Sequence, residues 1–186
     1  GSAVKADGTL WAWGHNTNGS VGDGTTTHRS SPVQIGAVTT WSSVSRGAYG
    51  ATVAIRTNGT MWSWGDNTTA GQLGLGDTTN RSAPVQIGLL TTWSSAQLGY
   101  KHVGAIKTDG TLWTWGCGTN GELGDGTVVT KSSPVQVGAL TTWSTVEVGT
   151  QFMAAIMTDG TLWSWGIGTN GMTGHNNTTS YSSPVQ

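Results

Sequence analysis

Apolar and polar residues alternate in short runs along this chain, and no stretch keeps the 3.6-residue period of a helix over a useful length. In the run Leu112-Trp113-Thr114-Trp115, the leucine and threonine fall on one face of an extended strand and the two indoles on the other, because successive strand side chains point to opposite sides. Three more extended pieces surround it: Trp93 to Leu98, Val103 to Lys107 and Pro134 to Val137. β-branched and aromatic residues dominate all of them. In chain order these are strands A (93–98), B (103–107), C (112–115) and D (134–137). Between B and C sits Asp109-Gly110, a dipeptide that supplies the positive φ of a two-residue hairpin, so B and C are expected to be antiparallel neighbours.

The same pattern occurs four times. The run Asp109-Gly110-Thr111-Leu112-Trp113-Thr114-Trp115-Gly116 has copies starting at Asp7, Asn58 and Asp159, and its closing glycines are Gly14, Gly65, Gly116 and Gly166. The period is therefore 51, 51 and 50 residues. A Pro-Val-Gln segment recurs at Pro32, Pro84, Pro134 and Pro184, and Thr-Thr-Trp-Ser recurs at Trp41, Trp93 and Trp143. Both faces of strand C need cover, which sheets stacked on like sheets provide; burying each Trp contributes on the order of 2–3 kcal/mol. Four-stranded sheets stacked radially at this period are propeller blades. A straight array would need polar end caps, and none is visible. The expected fold is thus all-β, a β-propeller of four-stranded antiparallel blades, about four per chain. The chain starts in strand B, so the first blade lacks its innermost strand. Residues 1–186 form one repeat domain, divided at 3–36 (partial), 37–88, 89–138 and 139–186.

A glycine-rich polar loop joins C to D, and Leu123 within it (Val21, Leu73 and Met172 in the other copies) is expected to fold back as a plug. Proline is expected to open strand D, which suits an outermost edge strand because proline brings no donor.

Charge narrows the function. Only 9% of the residues are charged and the net charge is −1, too little positive charge for a nucleic-acid partner. No apolar run has transmembrane length, and no membrane partner is expected. Gly1-Ser2 reads as an expression remnant, so the absence of a leader carries no weight. One cysteine, Cys117, excludes an internal disulfide framework. Abundant Gly, Ser and Thr with few Lys and Glu lean towards an extracellular or virion setting.

In the third period, Gly99-Tyr100-Lys101-His102-Val103-Gly104-Ala105-Ile106, then the Asp109 to Gly116 run, then Asn120-Gly121-Glu122-Leu123-Gly124 resemble the repeats of the regulator of chromosome condensation family. The resemblance recurs in phase over nearly the whole chain. It implies a seven-bladed propeller and a protein-binding role; members include exchange factors for a small GTPase and inhibitors that cap β-lactamases. The family histidine survives only as His102, and Phe152 replaces it in the last copy. Four blades fall short of the family ring. The chain is then a fragment, a closed four-bladed ring, or a half ring that pairs with a second copy into about eight blades. An open half ring exposes an apolar face that soluble monomers avoid, so the homodimer is the expectation.

Hairpin logic puts the A–B and C–D loops on one face of the propeller, and the B–C turns and D–A connections on the other. The second face is nearly constant between copies. The first varies: Ala48-Tyr49-Gly50, Tyr100-Lys101-His102 and Thr150-Gln151-Phe152 in the A–B loops, and His15, Asp66, Cys117 and Ile167 after Trp-Gly. Loops on a rigid scaffold carry binding residues. The candidate partner-binding residues are Tyr49, Tyr100, Lys101, His102, Gln151, Phe152, His15 and Asp66. A second column, Arg29, Arg81, Lys131 and Tyr181, is expected to be solvated loop ends guarding an edge strand.

No catalytic constellation emerges. The four histidines occupy four different repeat positions, the two glutamates are unrelated, and no Gly-x-Ser-x-Gly elbow occurs. One Asp per C–D loop is thin for Ca²⁺. No cofactor, metal or enzymatic activity is expected. Asn67-Thr68-Thr69 and Asn176-Asn177-Thr178-Thr179 contain glycosylation sequons, relevant only in a secretory pathway. The function expected is a non-enzymatic scaffold that binds an as yet unidentified protein through the variable face. The alternatives are a regulator of an enzyme, such as a GTPase exchange factor or β-lactamase-type inhibitor, and a propeller piece or product of repeat amplification with no activity of its own.

Overall fold

The structure, a computed structural model, describes residues 1–186. It is all β apart from one 3-10 turn, Thr169–Gly171. Four separate antiparallel meanders follow one another. The first has three strands, β1 (Ser2–Val4), β2 (Leu10–Gly14) and β3 (Arg29–Gln34). The second has four: β4 (Trp41–Arg46), β5 (Ala51–Arg56), β6 (Met61–Gly65) and β7 (Arg81–Gln86). β8 (Trp93–Leu98), β9 (His102–Lys107), β10 (Leu112–Gly116) and β11 (Lys131–Gln136) form the third. β12 (Trp143–Val148), β13 (Phe152–Met157), β14 (Leu162–Gly166) and β15 (Tyr181–Val185) form the fourth. These are the expected propeller blades, with the first lacking strand A. The A strands converge at the hub: Ser45 Oγ of β4 donates to Gln97 Oε1 of β8 at 3.1 Å, and the Leu98 amide donates to Ser45 Oγ at 3.0 Å.

Strand D differs from the expectation. It starts three positions before each proline, at Arg29, Arg81, Lys131 and Tyr181, and in the third blade the C–D register shifts between Thr114 and Gly116 opposite that point. The proline therefore sits inside an edge strand at an irregularity, where its missing donor interrupts no ladder bond. The basic column is also more than solvated loop ends. Arg29 pairs with Asp23 at 2.5 Å, Arg81 with Asp77 at 2.6 Å and Lys131 with Asp125 at 3.8 Å, each tying strand D to its own C–D loop. In the last copy both partners change together: His175 packs edge-on against Tyr181 at 5.1 Å.

Three hydrophobic clusters hold the blades, each spanning two neighbouring sheets. The second indole of each strand C, in Trp64, Trp115 and Trp165, is fully buried and enters the C–D loop of the preceding blade. Trp115 Nε1 donates to the Gln72 carbonyl at 3.0 Å, and Trp165 Nε1 to the Glu122 carbonyl at 2.8 Å. The plugs Val21, Leu73 and Leu123 are completely buried there. Strand A adds its own Trp: Trp41, Trp93 and Trp143 each meet both indoles of their strand C edge-on, at 6.1–6.3 Å. That geometry suits the positive edge and negative face of aromatic rings. Register places a cation opposite the strand A indole in two blades. Arg56 lies 4.6 Å from the Trp41 ring and 4.0 Å from Trp62; Lys107 lies 4.9 Å from Trp93 and 3.5 Å from Trp113. Burial lowers the pKa of Lys107, with Asp109 acting in the opposite direction.

The arc is open. Leu10, Met61 and Leu112 are fully buried by the following blade, whereas the equivalent Leu162 is 60% exposed. Ile156, at 42%, stands exposed where Ile55 and Ile106 are covered, and Met172 is no plug: it is exposed at the place of the buried Glu122, while Thr173 takes the buried position of Leu123 and its carbonyl accepts from the Ser164 hydroxyl as that of Leu123 does from Thr114. No strand pairing joins the first sheet to the last. The chain alone is therefore not a closed four-bladed ring, because nothing packs on the outer face of its fourth sheet.

The B–C turns give a paired test of this geometry. A Cβ on Gly110 (φ +75°) falls 2.1 Å from the Thr141 carbonyl oxygen, but one on Gly160 (φ +85°) meets nothing within 4 Å. Gly160→Ala is expected to cost about 1–2 kcal/mol from the left-handed backbone alone, while at Gly110 the displaced connection adds roughly 1–3 kcal/mol. Urea midpoints of the two variants measure the difference; equal shifts would mean that the D–A connection does not brace the turn.

Candidate protein-interaction face

The A–B and C–D loops do share one face, since neighbouring loops touch across blades. Tyr49 and Tyr100 lie edge-to-face with centroids 5.0 Å apart, both 39% exposed. Lys101 places its ammonium 3.9 Å from the Tyr49 ring centroid and 5.4 Å from that of Tyr100. The structure thus gathers three of the candidate residues, from two blades, into one aromatic-cationic patch.

Tyr49 also borders a hollow of about 500 Å³ lined by His15, Asn18, Arg46 and Asp66 among others. His15 is exposed, stacks on His28 at 4.8 Å and bonds the Thr17 hydroxyl at 2.9 Å through Nε2. Arg46 extends from the end of strand A and donates to the carbonyls of Trp13 at 3.3 Å and His15 at 3.0 Å. Burial lowers its pKa from the ordinary arginine value. The same difference between copies distinguishes Arg46 in the sequence, since the equivalent positions hold Leu98 and Val148.

Two candidates are corrected by their placement. His102 is 1% exposed, and the start of β9 carries it beneath the surface. Burial pushes its pKa below the ordinary value, opposed by Glu122 and the Phe152 backbone. Its Nε2 is buried without a partner. Asp66 is buried too, accepting hydrogen bonds from Asn18 Nδ2, the Thr68 amide and hydroxyl at 3.1 and 3.2 Å, and Gln72 Nε2 at 3.1 Å. Both residues shape the face from below. Gln151 and Phe152 are half-buried on the third A–B loop; the Gln151 carbonyl accepts the Ile167 amide at 2.9 Å, and the Phe152 ring lies against Gly149. They are not part of the tyrosine patch.

The first two C–D loops are each held by a buried asparagine, where the last two have Gly118 and Gly168. Asn67 is fully buried, its Oδ1 accepting the Leu73 amide at 2.9 Å while Nδ2 donates to the Asp77 carbonyl at 2.9 Å. Asn16 does the same work, accepting the Val21 amide at 2.8 Å. The sequon at Asn67 is therefore closed to a glycan in the folded chain. The loop aspartates are occupied as well: Asp23 and Asp125 accept from the amides and hydroxyls of Thr25 and Thr127.

The profile of the Regulator of chromosome condensation (RCC1) repeat matches residues 7–54, 58–106 and 109–156. Each match begins at a B–C turn and ends in strand B of the next sheet, so the matched unit bridges two blades. The human protein described as probable E3 ubiquitin-protein ligase HERC3 is 31% identical over 121 residues, 63% of this chain and 11% of that protein. Human WBSCR16 superposes with a TM-score of 0.86 at 22% identity, over 99% of this chain and 49% of that one. Prp20p from Saccharomyces cerevisiae, whose binding to Gsp1p and histones has been characterised, gives 0.84 at 19% identity, over 99% and 47%. The chain spans about a tenth of that curated relative and about half of each structure. With the repeat profile matching most of its length and the same blades recurring in those structures, the chain belongs to the regulator of chromosome condensation repeat family.

Proposed function

We propose that this arc of blades is a non-enzymatic interaction scaffold that takes a protein partner on the face built by the A–B and C–D loops, and that two copies close one propeller of about eight blades. The observation that carries the first part is the Tyr49–Tyr100–Lys101 patch, two half-exposed aromatics and a cation fixed on a rigid framework. Rigid aromatics give contact area at little entropic cost and are enriched among the residues that dominate interfaces. The likeness to Prp20p supports a protein partner in kind, without naming it. Asp66, the acid of the variable positions, is tied up by its four hydrogen bonds, which argues against a face built to disturb a nucleotide site.

A photo-crosslinkable residue at position 100 should capture a protein that the same residue at position 141, on the opposite face, does not. Tyr49→Ala with Lys101→Ala should weaken that capture at least about tenfold, as expected for removal of interface anchors. Equal capture from both positions, or capture indifferent to the double substitution, would overturn the assignment of the face.

A further inference from the structure

One backbone amide is closed off in the same way in every blade. It lies two residues beyond the glycine that ends strand C, and it donates to the side chain of the residue just before strand D. Asn67 donates to Asn80 Oδ1 at 2.7 Å, Gly118 to Thr130 Oγ1 at 3.4 Å and Gly168 to Ser180 Oγ at 3.2 Å. In the first blade the acceptor is His28, whose Nδ1 takes the Asn16 amide at 3.0 Å. These four bonds draw the two ends of each C–D loop together. Only the first is made by a side chain that changes charge near neutral pH.

An amide N–H can only donate, so His28 must present a lone pair at Nδ1 and carry its proton on Nε2. Protonation adds a hydrogen at Nδ1, and the amide and the ring then face each other as two donors. His15 behaves differently. Its Nε2 meets the Thr17 hydroxyl at 2.9 Å, which can donate or accept, so that contact survives protonation. The two rings stack at 4.8 Å, so a charge on one opposes a charge on the other. Neither ring is bonded to a carboxylate. Asp23, in the same loop, is held by Arg29, Asn16 Nδ2 and the Thr25 hydroxyl. Asp66 of the second blade is buried and takes Asn18. The other charged groups here, Arg46 on the His15 carbonyl and the Gly1 ammonium on the Trp13 carbonyl, are positive. No fixed partner stabilises a charged His28.

We infer that His28 is a pH latch: its protonation frees the Asn16 amide and loosens the mouth of the first C–D loop, and with it one wall of the hollow beside Tyr49. His15, Asn18 and Ser20 of this loop line that hollow, and the His15 carbonyl holds both Arg46 and the Ser20 hydroxyl. The loop does not unfold, since the Asn16 side chain still holds the Val21 amide at 2.8 Å and the Thr25 and Thr27 carbonyls at 3.0 Å. What shifts is His15, next to the freed amide. An effect on partner capture rests on the face proposed above; the latch itself does not.

Hydrogen exchange is read by NMR on the full chain at about pH 8 and about pH 5, on either side of the ordinary histidine range. Each rate is divided by the intrinsic rate at that pH. Protection of the Asn16 amide should fall roughly tenfold at the lower pH, the factor for one net hydrogen bond. That of Asn67, capped by an asparagine, should stay constant. His28→Asn gives the first loop the second loop's acceptor and should hold protection at both values, whereas His28→Ala should lack it at both. His28 is exposed, so neither variant threatens the fold. Ring nitrogen shifts should place the proton of the neutral His28 on Nε2. The latch is overturned by no fall in the wild type, by a fall that persists in His28→Asn, by a His28→Ala chain as protected as the wild type at the higher pH, or by a neutral ring protonated at Nδ1. Loss of protection at Asn16 supports it even where capture at position 100 proves indifferent to pH, a result that counts against the hollow's part in binding alone.

Discussion

Trp115→Ala is expected to cost about 3–5 kcal/mol, the range for removing a large aromatic side chain from a packed core. Trp115 is fully buried between the second and third sheets, in one cluster with Val53, Ile55, Met61 and Leu73 of the former and Val103 and Ala105 of the latter. Its Nε1 holds the Gln72 carbonyl, so the substitution also leaves a buried acceptor unpaired. Gly74 has no room for a Cβ because the indole would lie 2.7 Å away, which shows how closely the loop is moulded to this ring. Each blade contacts only its neighbours, so stability is approximately a sum of blade and junction contributions. Weakening one junction should therefore split urea unfolding into two transitions. Trp13→Ala is the control. Trp13 holds the same repeat position, but no preceding blade covers it and it is partly exposed, so its loss should cost far less and leave unfolding single-stepped. A single, unshifted transition for Trp115→Ala would mean that the blades are held by something other than these indoles.

Much of this was legible because repetition reports geometry. The 50-residue period, the Asp-Gly and Asn-Gly turns and the alternation in strand C gave the blades, their order and the two faces without knowledge of a single contact. Differences between copies were harder to read. His102 and Asp66 vary between copies, yet both are buried, because a variable position can be one where packing has alternative solutions: Ala51, His102 and Phe152 all open strand B in their blades. Variation therefore led to residues that meet at the surface at Tyr49, Tyr100 and Lys101, and to buried ones at His102 and Asp66. The basic column was misread for the opposite reason. Arg29, Arg81 and Lys131 looked like independent surface charges, and only the folded loop shows Asp23, Asp77 and Asp125 beside them. The acid does not even keep its place: the second copy holds Leu75 where the first and third have Asp23 and Asp125, and Asp77, two residues further on, pairs with Arg81 instead, while the last copy sets His175 against Tyr181.

Leu162→Glu should convert a pair of chains into single ones. If two half rings close on each other, the open face of each fourth sheet meets the first sheet of its partner, and the wild type runs at about 38 kDa, twice the 19.2 kDa chain. Such a pair contains the same head-to-tail contact twice, closed by a two-fold axis. A glutamate at position 162 is therefore placed at both junctions at once. Burying an unpaired carboxylate costs several kcal/mol at each site, so dissociation should strengthen by more than about ten-thousandfold. The isolated chain should not be harmed, because Leu162 is 60% exposed in it, whereas its equivalent Leu112 is fully buried and Leu112→Glu should unfold the third blade. Light scattering over a dilution series reads the mass, and circular dichroism confirms that the Leu162 variant is folded. A wild type that stays at 19.2 kDa at hundreds of micromolar would rule out the pair, as would a variant that remains at twice that mass. The contrast between the two leucines turns on one physical difference: the same side chain at the same register is core where a blade follows it and surface where none does.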